Sequence, residues 1–152
     1  MENIGVPLKR STPVLIEWRN HYSVGNAELD QHHKVIFSII NEILVMLEKG
    51  ADSSALESIL AHLADYANWH FRREEELMEQ RQCPGLDTHK RAHAHFVKDL
   101  EAFRFQNLTP KGLKPNDLLR YLKRWWLDHI CKVDRKYRSC VGEASPAGDF
   151  ER

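Results

Sequence analysis

Four stretches of this chain repeat apolar residues at the i, i+3, i+4, i+7 spacing of a helix with one buried face. The first, Glu28 to Lys49, carries Val35, Ile36, Ile39, Ile40, Ile43, Leu44 and Leu47, and Gly50 follows as a stop. The second, Ser53 to Gln80, carries Leu56, Ile59, Leu60, Leu63, Ala67, Phe71 and Leu77, and Cys83-Pro84-Gly85 then breaks the chain. The third, Asp87 to Phe105, has Ala92, Phe96, Leu100 and Phe103 on one stripe. The fourth opens with Pro115 at a first helical position and runs through Leu118, Leu122, Trp125 or Trp126, Ile130 and Val133 to about Cys140. No useful run of strand alternation interrupts them. Four such helices joined by short loops must bury their stripes against one another. The expectation is an all-α domain, an antiparallel up-down-up-down four-helix bundle over residues 12–140. An arm from Thr12 to Ala27, with Trp18, Tyr22 and Val24, is expected to pack its aromatics across the bundle. Residues 1–11 are expected to be a flexible N-terminus, and residues 141–152 a flexible C-terminal tail.

Composition narrows the function classes. Lys and Arg number 22, Asp and Glu 22, in 152 residues. That balance argues against a general basic field for nucleic acid and against an acidic solvating tail. No run approaches the roughly 20 apolar residues of a membrane span, and Met1 to Arg10 has no apolar segment of a signal peptide. Cys83, Cys131 and Cys140 show no Cys-x-x-Cys spacing, and on one helix Cys131 and Cys140 would stand about 13 Å apart. Reduced thiols in a cytoplasmic protein are the expectation.

Nine His in an otherwise plain chain demand a position-by-position reading. His70 and Glu74 are four apart on the second helix, as are His89 and His93 on the third, so each pair shares a face. His129 lies on the fourth helix with Asp134 five residues later, and His33 lies on the first. An antiparallel bundle brings the start of helix one, the end of helix two, the start of helix three and the end of helix four to one level. His33, Glu74, His93 and Asp134 each lie roughly 9 Å in from those ends. His70, His89 and His129 fall within a turn of the same level. Seven potential ligands from four helices therefore converge on one layer.

Five imidazoles and two carboxylates without a thiolate suit iron, and carboxylates can bridge two metals. A mononuclear zinc site would use only part of this set. The five imidazoles, two bridging carboxylates and one solvent-derived oxygen bridge would fill all but one coordination position of two six-coordinate metals. Such a site suits one small ligand. On an ideal helix His129 and Asp134 diverge by about 140°. Either they approach a wide site from two sides, or the helix is locally irregular.

These residues resemble the hemerythrins, and among them the single-domain bacteriohemerythrins, over about Trp18 to Tyr137. The resemblance includes Trp18 and Tyr22-Ser23-Val24-Gly25, then Leu29-Asp30-Gln31-His32-His33-Lys34. It continues in Tyr66, His70-Phe71-Arg72-Arg73-Glu74-Glu75, His89-Lys90-Arg91-Ala92-His93-Ala94-His95-Phe96 and Trp126-Leu127-Asp128-His129-Ile130 through Asp134. The resemblance implies that His89, His93 and His129 hold one iron and that His33 and His70 hold the other. Glu74, Asp134 and a solvent-derived oxygen would bridge, and the two-His iron would bind dioxygen reversibly. His32 stands where the family usually has Gln, and His33, followed by Lys34 as in the family, is the expected ligand.

His21, His32, His62 and His95 are expected on solvated surface or in local hydrogen bonds. Glu75, Glu76 and Glu79 beside Arg72 and Arg73 read as a charged, solvated face, with a partner for a ligating His as the less favoured role. Tyr66 and Trp126 face the site layer, as core packing or as a screen against water. The function expected is dioxygen binding by a monomer, for storage or for delivery to an oxygen-consuming enzyme. The alternative is a sensor of oxygen, nitric oxide or redox state acting on a signalling partner in trans. A diiron oxidase, peroxidase or nitric oxide reductase is disfavoured, because no Glu is followed by His at the Glu-x-x-His spacing of carboxylate-rich diiron enzymes. No nucleic-acid partner is expected.

Overall fold

The computed structural model describes residues 15–142. The expected flexible segment 1–11 lies outside the described residues, as do residues 143–152 of the expected tail. Four long helices form the bundle: α1 (Ala27–Glu48), α2 (Ser53–Gln80), α3 (Leu86–Asn107) and α4 (Pro115–Asp128). Among the described residues all regular structure is helical. None of these helices is long and apolar enough to cross a membrane.

Local chemistry sets the ends. The Asn26 side chain accepts from Leu29 N–H at the start of α1, and Asp52 accepts from Ala55 N–H at the start of α2. Pro115 opens α4. Gly50 and Gly85 adopt the left-handed backbone that ends one helix and starts another. A side chain at Gly85 would in addition collide with the Tyr137 hydroxyl, 2.5 Å from an ideal Cβ.

The stripes meet as their spacing requires. Ile36, Ile40 and Ile43 of α1, Leu60 and Leu63 of α2, Phe96 and Leu100 of α3, and Leu118, Leu122 and Trp126 of α4 are fully enclosed. α2 packs between α1 and α3, and α1 also packs on α4. Burying each of these large side chains contributes about 1.5–3 kcal/mol against exposure.

From Leu15 onward the arm crosses the bundle as expected; Thr12, Pro13 and Val14 lie outside the described residues. Trp18 and Tyr22 place their rings 5.8 and 5.5 Å from that of Phe37 on α1. Asn41 clamps the arm's backbone, accepting from Ile16 N–H at 2.8 Å and donating to Ile16 C=O at 2.9 Å. Asp30 receives the Ser23 hydroxyl and Val24 N–H, which fixes the approach to α1.

Two expectations need correction. The fourth helix does not run uniformly to Cys140. After α4 comes a π-helical turn (His129–Val133), a 3-10 turn (Asp134–Tyr137) and a short helix α5 (Arg138–Val141). Nor are all three thiols reduced: Cys83 and Cys140 form a disulfide, Cα atoms 5.8 Å apart and 57 residues apart in sequence, leaving Cys131 free. Considering only cysteines on a common helix missed this pair, because the break after α2 and the end of the last helix meet at the same end of the bundle. Val141, at the start of the expected tail, is buried there. Its carbonyl accepts from Asn26 Nδ2 at 3.0 Å and Arg81 Nη1 at 2.6 Å.

Candidate metal centre

All seven residues expected to converge are buried, and they face one another between the helices. Glu74, His89, His93, His129 and Asp134 offer ligand atoms lying within 4.8 Å of one another; His33, His70 and Glu74 form a second such group. α1 contributes His33, α2 contributes His70 and Glu74 one turn apart, and α3 contributes His89 and His93 one turn apart. His129 begins the π-helical turn and Asp134 follows it.

That turn resolves the five-residue spacing. The Asp134 N–H bonds to the carbonyls of His129 and Ile130, so an i→i+5 bond widens the helix by one residue. Both side chains then enter the site from one side, with His129 Nε2 3.0 Å from Asp134 Oδ1.

The carboxylates stand between the two groups of imidazoles. Asp134 sets Oδ1 3.1 Å from His89 Nε2 and 3.0 Å from His129 Nε2, and Oδ2 3.4 Å from His33 Nε2. Glu74 sets Oε1 against His89 Nε2 in a short contact, and Oε2 3.0 Å from His70 Nε2. Each acid therefore presents one oxygen to each group. Within the groups, ring nitrogens face ring nitrogens: His33 and His70 Nε2 are 3.2 Å apart, as are His93 and His129 Nε2.

Such crowding shifts the protonation equilibria. Burial would raise Glu74, and so would the neighbouring Asp134 charge, yet the close imidazoles of His70 and His89 hold it below the usual carboxylate range. Asp134 is held low in the same way, burial being outweighed by His129, His33 and His89. His70 is pushed down to about 4, chiefly by burial. Burial would also lower His89, but Asp134 and Glu74 prevail and push it up to about 10.

The donor set fits metal. Glu74 Oε2 and both oxygens of Asp134 are buried without a well-formed hydrogen bond, although imidazoles lie close by. Facing imidazole lone pairs repel unless a proton or a cation lies between them. Five imidazoles and two carboxylates make a donor set for two borderline-hard cations, and the absence of thiolate disfavours a structural zinc site.

Aromatic rings wall the site. Phe71 lies between His93, stacked at 3.9 Å, and Trp126, near-parallel at 5.6 Å. Trp125 stacks on His129 at 4.4 Å. Trp126 thus has the site-facing place expected of it. Tyr66 is half-buried and stands farther out, its ring 6.3 Å from that of His32.

Sequence reasoning placed His21, His62 and His95 correctly on the exposed surface. It missed His32 and underrated Glu75. His32 is buried, with Nδ1 3.0 Å from His70 Nδ1. Glu75 sets Oε2 3.0 Å from His93 Nδ1. Each follows or precedes a site residue by one position, about 100° around its helix, and so faces the seam with the adjacent helix. That angular offset was the available signal. Burial also pushes His32 below its ordinary pKa. Arg73 grips Glu28 of α1 through two hydrogen bonds, so the charged face of α2 is in part an interhelix clamp.

Comparison with known proteins finds relatives of this chain by sequence and by fold. Residues 24–140 match the family model of the hemerythrin HHE cation binding domain. A bacteriohemerythrin of Stenotrophomonas maltophilia is 29% identical over 127 residues, covering 84% of this chain and 82% of the relative. A myohemerythrin of Theromyzon tessulatum is 30% identical over 129 residues, covering 83% and 93%. The crystal structure of a wild-type hemerythrin superposes with a TM-score of 0.78 at 25% identity, covering 86% of this chain and all of that one.

Proposed function

From the premise that the chain belongs to the hemerythrin HHE cation-binding family, we propose that it binds dioxygen reversibly at a non-haem diiron centre, for storage or for delivery to an oxygen-consuming partner. The observation that carries this reading is the sharing of Glu74 and Asp134: each carboxylate offers one oxygen to each of two imidazole groups. In this reading His89, His93 and His129 would hold one iron and His33 and His70 the other, with Glu74 and Asp134 shared between the two groups. When bound, such a pair supplies two electrons and one open coordination position for a small ligand.

The chain's own residues then have definite tasks. Glu74 and Asp134, held anionic, offset the charge of two cations in a buried site. Glu75 accepts from His93 Nδ1–H and turns His93 Nε2 inward. Phe71, Trp125 and Trp126 exclude water from the ring side of the imidazoles. A dry, His-rich set favours capture and release of the ligand over its activation, so we read the protein as a binder rather than an enzyme.

We infer a cytoplasmic location. In a reducing compartment the Cys83–Cys140 bond persists only if its potential lies below that of the thiol pool.

Anaerobic titration of the reduced, iron-loaded protein with oxygen, followed optically, tests the proposal. Reversible appearance and loss of a charge-transfer band, with two irons per chain, supports it. Rapid irreversible oxidation moves the assignment to a sensor or an oxidase, and an iron content far from two per chain overturns the site.

A further inference from the structure

The His70 ring is held at both nitrogens. Its Nε2 faces the centre, 3.0 Å from Glu74 Oε2 and 3.2 Å from His33 Nε2, while its Nδ1 points away, 3.0 Å from His32 Nδ1. A neutral imidazole carries one proton. For Nε2 to present a lone pair inward, that proton must sit on Nδ1, where it needs an acceptor. His32 Nδ1 supplies one, provided the His32 proton is on its own Nε2. That nitrogen faces Glu28 Oε1 at 4.0 Å, and Arg73 fixes Glu28 with hydrogen bonds of 2.6 and 3.1 Å. The His32 ring is itself enclosed, 4.5 Å from the Trp69 ring. His93 has an analogous outer partner in Glu75, whereas His33 Nδ1 and His89 Nδ1 have none. Each imidazole group thus has one ring locked from outside.

We propose that His32 is a positioning residue for the His33–His70 half of the centre: it accepts the Nδ1–H of His70 and so fixes the tautomer and ring plane that aim His70 Nε2 inward. The assignment rests on the diiron reading. It is local, so it makes a site-selective claim.

Anaerobic ferrous-ion titration of the metal-free full chain tests it in the wild type, His32→Leu and His32→Gln. The wild type is expected to take two ions. His32→Leu, which fills the space without an acceptor, keeps one ion at wild-type affinity and binds the other about 10–100-fold more weakly. His32→Gln, whose amide oxygen can accept the same N–H, recovers most of that loss. Thermal melts of the metal-free variants establish that they fold. Nitrogen-15 NMR of the zinc-loaded wild type reads the tautomer without any variant, and a proton on His70 Nδ1 is expected. Equal weakening of both ions in His32→Leu, no weakening of either, a His32→Gln that behaves like His32→Leu, or a bare Nδ1 on His70 each overturns the assignment. A wild type that binds fewer than two ions overturns the diiron reading, and this assignment with it.

Discussion

Asp134 donates its backbone N–H to the carbonyl of His129 five residues earlier, and its carboxylate stands 3.0 Å from the same residue's Nε2. One extra residue in the turn therefore delivers both side chains to a single point. π-Turns are less favourable than α-helix and concentrate at functional positions. The bundle tolerates this one next to four imidazoles and a second acid.

The sharing of the acids separates their roles from those of the imidazoles. Asp134→Asn or Glu74→Gln should weaken uptake of both metal ions, because each acid serves both groups. His70→Ala should weaken mainly one. Iron content after anaerobic loading and desalting distinguishes the patterns, and an Asp134→Asn protein that still holds two ions tightly contradicts the bridging geometry.

Proton balance gives the metal-free protein a definite pH profile. His89 sits at about 10 when folded against about 6.5 unfolded, so its contribution to stability is complete below about 6.5 and is lost as pH rises through 10. His70, pushed down to about 4, acts on the other side: stability falls as pH drops from about 6.5 towards 4. Metal-free melting temperatures should peak near neutrality. Metal loading must expel the His89 proton, so affinity should rise between pH 6.5 and 10, by up to about tenfold per unit. Calorimetric titration in buffers of different ionisation enthalpy counts the protons released; a count near zero at pH 7 contradicts the His89 assignment.

The disulfide ties the loop after α2 to α5 beyond Asp134. Cys83→Ser or Cys140→Ser should destabilise the protein by about 2–4 kcal/mol, or roughly 5–15 °C in Tm. Dithiothreitol should lower the wild-type Tm and leave the variants unchanged. Equal melting temperatures with and without reductant in the wild type mean that the bond contributes nothing.

Phe71 is buried between His93 and Trp126, so removing its ring leaves a cavity against the centre. Phe71→Ala should destabilise the metal-free fold by about 3–5 kcal/mol, and Phe71→Leu by less. Both should still bind two ions if the ring packs without directing the imidazoles, as chemical denaturation combined with metal analysis can show.

Helix number, order and inward faces were legible from spacing alone, because burying an amphipathic stripe is a local rule repeated along the chain. So was the set of seven convergent residues, because antiparallel topology fixes which helix ends share a level. The five-residue gap from His129 to Asp134 could be recognised as irregular but not resolved. Its two explanations differ in backbone hydrogen bonding, which side-chain identity does not encode. His32, read as surface or locally hydrogen-bonded, and Glu75, read as a solvated face ahead of a partner for a ligating His, stayed unresolved for a related reason: one position from a site residue, they point into the seam between helices, and which seam is closed depends on the neighbour.

The sequence by itself determined an α-helical bundle with a layer of five imidazoles and two carboxylates, since periodicity along each helix carries both the core and the site. Tertiary structure decided which nitrogens meet which oxygens, which rings are held from outside, and that Cys83 finds Cys140. Those contacts join residues far apart in the chain. Their distances depend on how the helices rotate and close on one another, a property of the packed bundle that no single helix possesses.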